Sequence, residues 1–300
     1  LHSMISKIKQ PNTNGSVLVE PRASLKWQFT RDQQFNFSYG LHSQLQSPTV
    51  YSSVYGMTNL AQNYDLKPTR SHQLAAGYQR SFNNSSSLKI EAYWQRLFDV
   101  PVGGGLRDNY SAVNLIEERP DVRLYNEGKA TNYGLEASYQ KFLTNNFYML
   151  ISGSLYKATY VDYIGLTQNS RFGGRHTFSL TTGKEFKTAS GGLWGVNAKA
   201  LWIGGFRDRP IDEEYSAVLK QTIYELQSSY TVKMKDYFRP DLRIYWKKSR
   251  EKYNRTIAID LQNVSGTKNE AYRYFDKRQN RVVQQYQLGL IPVLSYRIEF

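Results

Sequence analysis

The chain has 300 residues, no cysteine and a formal net charge of +14 at pH 7. Its mean hydropathy is −0.60. Its longest apolar run, at 147–151, has about five residues, far short of the 18 or so that a membrane helix requires. Membrane helices, disulfide bonds and thiolate metal sites are therefore excluded. Membrane strands are not excluded, because polar residues on one face of a strand lower the mean hydropathy even when the other face is wholly apolar.

The basic charge raises the question of nucleic acid binding. Lys and Arg are, however, spread along predicted strands and loops, with no basic block and no RNP-like or helix-turn-helix pattern. We therefore interpret the charge as solvated faces and loop tips, and we predict no nucleic acid partner.

Side chains alternate between apolar and polar along most of the chain, which is the pattern of extended strands. In FNFSYGL, for example, Phe35, Phe37 and Tyr39 oppose Asn36 and Ser38. Many predicted strands run about 10 to 14 residues, whereas globular strands average about 5 to 6 and membrane strands need about 9 to 11. Eleven strands are predicted, near residues 18–30, 35–44, 70–82, 87–98, 129–142, 147–160, 173–187, 193–204, 237–248, 255–264 and 284–300.

The predicted connections alternate between short turns and long, polar, Tyr-rich loops. The short turns fall near residues 31–34, 83–86, 143–146, 188–192 and 249–254. The long loops cover roughly residues 44–69, 99–128, 161–172, 205–236 and 265–283. Barrels of outer membranes have short periplasmic turns and long external loops, whereas a Greek-key sandwich has no reason to separate the two lengths. We therefore predict an all-β fold, an antiparallel up-and-down transmembrane β-barrel.

The order of turns also predicts orientation. The first predicted strand precedes a short turn, so residues 1–17 are expected in an external loop and Phe300 at the periplasmic rim. Bacterial single-chain barrels have even strand numbers with both ends periplasmic. About 11 strands are therefore expected to be half of a probable 22-stranded barrel.

Several segments resemble the barrel wall of Bacteroidetes-type TonB-dependent receptors. They are PRASLKWQF, FNFSYGLHSQLQ, DLKPTRSHQLAAGYQRSF, LKIEAYWQRLFDVPV, NEGKATNYGLEASYQKF, FYMLISGSLYKATY, GGFRDRPID and YQLGLIPVLSYRIEF. They occur in the expected order over nearly the whole chain. The resemblance implies a 22-stranded barrel with an N-terminal plug, located in the bacterial outer membrane, that imports a scarce nutrient with energy delivered by TonB.

On this interpretation, residues 1–300 are the C-terminal part of the barrel, and the plug domain and signal peptide are absent from the chain. The expected partners are the plug of the same receptor, the TonB complex, outer-membrane lipids, the barrel assembly machinery and an unknown nutrient. Two alternatives remain open: a passive porin-like or structural outer-membrane barrel, and a soluble basic β-rich binding protein.

The last predicted strand alternates without interruption up to its end. Leu294, Tyr296, Ile298 and Phe300 share one face. By the same resemblance, this strand is expected to be the signal for outer-membrane insertion, since an exposed strand edge with alternating apolar side chains pairs with a receiving sheet.

No pattern of catalytic residues is found, and we predict that the protein is not an enzyme. The four histidines lack metal-ligand spacing, so we predict no metal and no cofactor. His42 and Ser43 are adjacent, but adjacent strand residues face opposite sides. The glycine-rich segment PVGGGLRDNY lacks the GK[ST] ending of a phosphate loop and is predicted to be an external loop.

Candidate ligand-binding residues are charged or aromatic residues of the predicted external loops. They are Arg207, Arg209, Asp212, Tyr110 and Tyr125. For the charged three, which lie near Asp208, an ion-pair network at the rim is the alternative explanation. On the strands, seven charged residues are predicted to face the barrel lumen: Lys89, Glu91, Glu136, Lys199, Arg243, Lys247 and Asp260.

Overall fold

The computed structural model describes residues 2–8, 16–51, 63–82, 85–104, 110–115, 120, 122–189, 191–225 and 229–300. The strands are β1 (His2–Ile8), β2 (Ser16–Gln28), β3 (Gln33–Gln44), β4 (Thr69–Phe82), β5 (Ser86–Gly103), β6 (Leu124–Thr144), β7 (Phe147–Val161), β8 (Thr167–Asn169), β9 (His176–Lys187), β10 (Gly192–Ile203), β11 (Arg207–Asp208), β12 (Val232–Lys233), β13 (Tyr237–Ser249), β14 (Asn254–Gln262), β15 (Glu270–Asp276), β16 (Arg281–Tyr286) and β17 (Ile291–Glu299). The helices are α1 (Pro48–Tyr51), a 3-10 turn (Ala112–Asn114) and α2 (Glu213–Leu219).

One large antiparallel sheet contains most of these strands. Its order is β1-β2-β3-β4-β5-β6-β7-β9-β10-β13-β14-β17, and the short β8 pairs with β7 beside this path. Neighbours in the sheet are thus also successive wall strands in the chain, which is the up-and-down topology predicted from the sequence. Within the described residues, β1 and β17 are edges, each pairing on one side only. The sheet is therefore an open section of wall.

Two expectations from the sequence are wrong in detail. Residues 2–8 form β1, paired along its whole length with β2, instead of lying in an external loop. The main path thus has twelve strands rather than eleven, and the argument from an odd strand number no longer holds. The predicted strand 284–300 is also divided, because β16 pairs with β15 in a separate hairpin and only β17 belongs to the wall.

The predicted difference between the two rims is confirmed. At one rim, successive strands are joined by tight turns, and Asn145 and Asn146 both take positive φ, of 53° and 61°. This conformation suits a two-residue hairpin, and Asn tolerates it better than most residues. At the other rim, long connections carry β8, both helices and the β11–β12 and β15–β16 ribbons. No helix of the described residues is long and apolar enough to cross a membrane.

The register divides the wall into an apolar face and a polar face. Leu135, Leu155 and Ile259 lie on the apolar face, where about half of each side chain is exposed. The seven charged residues predicted for the lumen share the opposite face, as predicted. The guanidinium of Arg243 donates hydrogen bonds to the two carboxylate oxygens of Asp260, at 3.0 and 2.9 Å. A sheet with an exposed apolar face and a paired polar face needs lipid on one side and water or protein on the other.

Candidate functional site

The buried apolar cluster of the described residues lies among the long loops, beyond the end of the wall. Val50 and Leu66, both between β3 and β4, and Leu124, the first residue of β6, are at most 2% exposed. Tyr110 packs partly buried against them. Apolar burial supplies the main free energy for ordering a loop against its conformational entropy. The described residues of the loops 45–68 and 104–123 are therefore held together as a folded unit.

A buried amide fixes the register of these two loops. The Asn63 side chain is 0% exposed and donates from Nδ2 to the carbonyl of Val122 at 3.1 Å. Its Oδ1 accepts the amide of Leu124 at 2.9 Å. Arg123 and Asp65 close the outer side with an ion pair of 2.6 Å. Because a buried amide is costly unless it is bonded, this arrangement favours one relative position of the loops.

Further contacts connect the next loops in turn. The side-chain Oδ1 of Asn114 accepts hydrogen bonds from the Ser170 hydroxyl at 3.0 Å and from the Arg171 backbone amide at 2.9 Å. The Ser229 hydroxyl donates to Oε1 of Gln168 at 2.6 Å, and the Arg207 amide donates to the Arg171 carbonyl at 2.8 Å. The described parts of the loops 104–123, 162–175 and 204–236 are thus joined successively around the rim by hydrogen bonds.

The hairpin β15–β16 completes the series. Arg273 lies 3.7 Å from the Asp208 carboxylate and donates to the Arg209 carbonyl at 3.1 Å. The Phe275 amide donates to the Thr222 hydroxyl at 2.9 Å. We refer to the described residues of the five connected segments, 45–68, 104–123, 162–175, 204–236 and 263–290, as the loop crown.

A cavity of about 590 Å³ lies where the loop crown meets the polar face of β4 to β7. No charged side chain lines it among the described residues. Its polar groups, apart from those of tyrosines, are amides and hydroxyls, contributed by Gln44, Gln46, Ser47, Thr69, Gln95, Asn132, Thr159 and Ser170. Tyr93, Tyr156 and Phe172 add aromatic surface. Such a lining binds a ligand through neutral hydrogen bonds and aromatic contact.

A second cavity continues along the same face towards the short turns. It has a volume of about 660 Å³ and shares Tyr93 and Gln95 with the first. Its lining is charged, with Arg22, Glu91 and Glu136. A ligand moving along the polar face would therefore pass from an uncharged chamber to a charged one.

One carboxylate clamps the crown to the wall at β9 and β10. Asp236 accepts the Gly205 amide at 3.0 Å and lies 3.4 Å from Nζ of Lys233 and 3.5 Å from His176. The Gly205 hydrogen bond, together with the nearby positive charge, lowers the pKa of Asp236 below its ordinary value, and partial desolvation opposes the shift. The Asp236 side chain is therefore a carboxylate when it accepts the Gly205 hydrogen bond.

A family profile described as "TonB dependent receptor-like, beta-barrel" matches residues 6–264. The chain belongs to this family of TonB-dependent receptors. Membership places the chain in the bacterial outer membrane and in a family of receptors rather than of enzymes, and the porin-like and soluble alternatives are not favoured. The narrower Bacteroidetes assignment stays a prediction. No protein with a curated description matches the chain.

Solved structures show the same fold at low identity. The ferric yersiniabactin uptake receptor of Yersinia pestis is 14% identical, with a TM-score of 0.64 over 96% of this chain and 38% of its own. The ferripyoverdine receptor of Pseudomonas aeruginosa is 15% identical, with a TM-score of 0.63 over 94% and 33%. The ferric-catecholate import receptor of E. coli K12 is 14% identical, with a TM-score of 0.61 over 94% and 35%. The chain thus spans about a third of the length of these receptors.

The charged candidate residues of this receptor all lie in the loop crown and contact other parts of it. Arg207 directs its guanidinium to the carbonyls of Tyr230 and Thr231, at 3.5 and 3.4 Å. Arg209 stacks over the Tyr224 ring at 4.1 Å. Asp212 caps α2 by accepting the Tyr215 amide at 2.9 Å. These contacts hold the loop together, and none of the three residues lines either cavity.

The two aromatic candidates have different surroundings. Tyr110 packs into the apolar cluster, whereas Tyr125 is 40% exposed and lies 5.8 Å from the Tyr163 ring and 5.7 Å from the Arg123 guanidinium. A ligand role for all five residues stays a prediction. In the described residues, no group of three His, Asp or Glu is placed to hold a metal ion.

The candidate site residues predicted from the sequence do not include the amide side chains of the uncharged cavity. Gln95 and Asn132 lie opposite each other on β5 and β6, and Nδ2 of Asn132 donates to Oε1 of Gln95 at 3.0 Å. Their strand parity and their position near the long-loop ends are visible in the sequence, and this combination is the signal that could have identified them.

The predicted insertion signal occupies the free edge of the sheet. Leu294, Tyr296 and Ile298 point to the apolar face of β17, and Phe300 follows it fully exposed. The role of this edge in insertion stays a prediction.

Proposed function

We propose that residues 1–300 form the C-terminal part of the barrel of a receptor that binds and imports a scarce nutrient through the outer membrane. The remaining wall strands, the plug and the segment that engages TonB are supplied by other parts of the receptor. Family membership supports this role, as do the similar structures, three of which are named for uptake or import of iron chelates or for bound ferripyoverdine.

The observation that carries the proposal is the uncharged cavity beneath the loop crown. Its walls combine eight amide or hydroxyl side chains with three aromatic rings. We infer that the nutrient, or the part of it bound here, is rich in neutral hydrogen-bonding groups, as in a carbohydrate, a peptide or a chelate with shielded charge. A strongly anionic group would find no cationic partner among the described residues of this lining.

The test compares two amide pairs of the same chemistry. Gln95→Ala with Asn132→Ala removes a pair from the uncharged cavity. Gln34→Ala with Gln79→Ala removes a pair of the same bond length, 3.0 Å, near the short turns on the same face. Cells carrying the full-length receptor are grown on single limiting ferric chelates, oligosaccharides and peptides, and the receptor-dependent condition is identified with a deletion strain.

On that nutrient, we expect the cavity pair to reduce uptake and binding at unchanged receptor abundance, and the control pair to leave both near the wild-type level. Equal effects of the two pairs would contradict the assignment of the cavity. Uptake that continues after the proton-motive force is collapsed would contradict TonB-dependent import and favour a passive barrel.

A further inference from the structure

Four basic side chains gather on the apolar, outward face of the wall, next to the loop crown. They are Arg70, Arg96, Lys129 and Lys157, which we call the rim patch. Each lies on the same side of its strand as exposed apolar residues nearer the middle of the wall, for example Leu74 on β4 and Trp94 on β5. Because strand side chains alternate, the patch faces away from both cavities.

The register brings these side chains close together. Arg70 pairs with Phe98, two residues from Arg96, and Arg96 pairs with Thr131, two residues from Lys129. One strand across and two residues along corresponds to about 8 Å between Cα atoms. Lys157 lies on the next strand, opposite Tyr133, and is four residues along from Lys129, at a Cα separation of about 14 Å. Long Arg and Lys side chains can converge on one ligand over such distances.

Among the residues that the structure describes, none of the four charges has an acidic partner. No ion pair within the described residues includes any of them, and Arg96, Lys129 and Lys157 are exposed. Arg70 stacks over the Phe98 ring at 5.0 Å. Glu127 is the nearest acid along β6, two residues beyond Lys129, and it makes no ion pair with the patch. The patch is thus a local excess of positive charge.

The height of the patch corresponds to the edge of the hydrocarbon layer. On β4, Arg70 and Arg80 both face outward and enclose the apolar side chains between them. Ten residues at about 3.3 Å each, in a strand tilted by about 40°, span roughly 25 Å of height, which is the thickness of the apolar band of membrane barrels. Arg70 therefore lies at the level of the external headgroups.

The charge is also specific to one part of this rim. On β10, β13 and β14, the corresponding outward positions of the described residues are Trp202, Phe238, Pro240 and Leu261, with no Lys or Arg. Aromatic side chains alone suffice for an ordinary interface. The clustering on β4 to β7 therefore calls for a ligand that lies beside these strands.

We propose that the rim patch binds the phosphate groups of an anionic lipid headgroup in the external leaflet. Arg and Lys donate charge-assisted hydrogen bonds to phosphate oxygens, and the apolar residues below the patch, such as Trp94 and Leu155, contact the acyl chains of the same lipid. This lipid site is separate from the nutrient site and does not depend on which nutrient is imported.

The test uses the full-length receptor in neutral detergent micelles and lipid A, a diphosphorylated glucosamine lipid, as the probe. The variant is Arg96→Gln, Lys129→Gln, Lys157→Gln. The matched control is Arg80→Gln, Lys141→Gln, Lys184→Gln, which removes the same charge from the same face at the opposite rim. Binding is measured for lipid A and for its dephosphorylated form, with and without millimolar inorganic phosphate.

The rim-patch variant should bind lipid A about 100-fold more weakly, since each basic residue near an anionic surface contributes about a fivefold factor. The control should change affinity by less than about threefold by the same reasoning. Inorganic phosphate should not compete. Equal losses in the two variants, no loss in the first, or equal binding of dephosphorylated lipid would overturn the proposal. Competition by inorganic phosphate would overturn the lipid assignment in favour of a free-anion site.

Discussion

Each wall residue lies in one of two environments, and neighbours in the chain lie in opposite ones. On β5, Ile90 and Trp94 share the apolar face, while Glu91 pairs with Lys89 at 2.9 Å on the polar face. This alternation is predictable from the sequence, because its period of two is imposed by the strand itself. The partners across the wall, such as Asp260 for Arg243, are not predictable in this way, because they depend on register.

The first prediction concerns the apolar face. Ile90→Arg should destabilise the receptor in a bilayer by about 2–4 kcal/mol, the cost of a basic residue near the midplane of a barrel. Ser38→Arg, on the polar face of β3, is the control and should cost much less. Denaturant unfolding of receptor refolded into lipid vesicles measures both. Similar losses would mean that the two faces do not differ in environment.

The second prediction concerns pH at the Asp236 clamp. Because the pKa of Asp236 is lower in the folded protein than in the unfolded chain, its contribution is complete above the ordinary aspartate pKa of about 4 and is lost as pH falls through the folded pKa. Hydrogen exchange at the Gly205 amide, corrected for its intrinsic pH dependence, should therefore accelerate at strongly acidic pH.

Asp236→Asn provides the control for this clamp, since its amide oxygen can still accept the Gly205 hydrogen bond but does not titrate in that range. Its corrected exchange at Gly205 should be independent of acidic pH. An identical acid response in the variant and the wild type would assign the loosening to other groups.

At the scale of elements, the wall strands and the loops differ in how far the sequence specifies them. Long alternating strands and short turns were predicted near their observed positions. The strand β1 was missed because neither face of HSMISKI is uniformly apolar in sequence. The hairpin β15–β16 was merged with a loop and with the last strand. Crown contacts such as Ser229 to Gln168, 61 residues apart, carry no periodic signal at all.

The third prediction concerns the short helix α2 in the crown. Asp212→Ala should destabilise the crown locally by about 0.5–2 kcal/mol, because it removes the side chain that caps the first turn. Hydrogen exchange at the Tyr215 amide reports the loss directly. Asp212→Ser retains a capping oxygen and should restore most of the protection.

The same pair of variants tests the ligand role predicted for Asp212. If Asp212→Ser restores protection at Tyr215 but does not restore nutrient binding, the carboxylate contacts the ligand in addition to capping the helix. If both recover, the capping function accounts for the residue.

At the scale of the whole molecule, the chain is a section of barrel wall that carries a folded crown on its external rim. The sheet places its apolar side chains outward, its charged pairs inward and an uncharged cavity between wall and crown. The fold class, the rim that carries the long loops and the face on which each strand residue lies were predictable, because each follows from short-range patterns in the sequence. The crown and its cavity required the structure, since the crown is assembled from five loops that are distant in sequence, and three of them line the cavity together with the wall.

The central claim is that the apolar face of this sheet contacts lipid and the polar face does not. Because the chain contains no cysteine, single cysteines can be introduced at successive positions 88–95 of the full-length receptor, after replacing any cysteine elsewhere in it, and spin-labelled in lipid vesicles. We predict that oxygen accessibility alternates strictly, high at 90, 92 and 94 and low at 89, 91 and 93, with accessibility to a water-soluble nickel complex low at the lipid-facing positions. Uniform accessibility along the segment, or oxygen maxima at 89 and 91, would contradict the account.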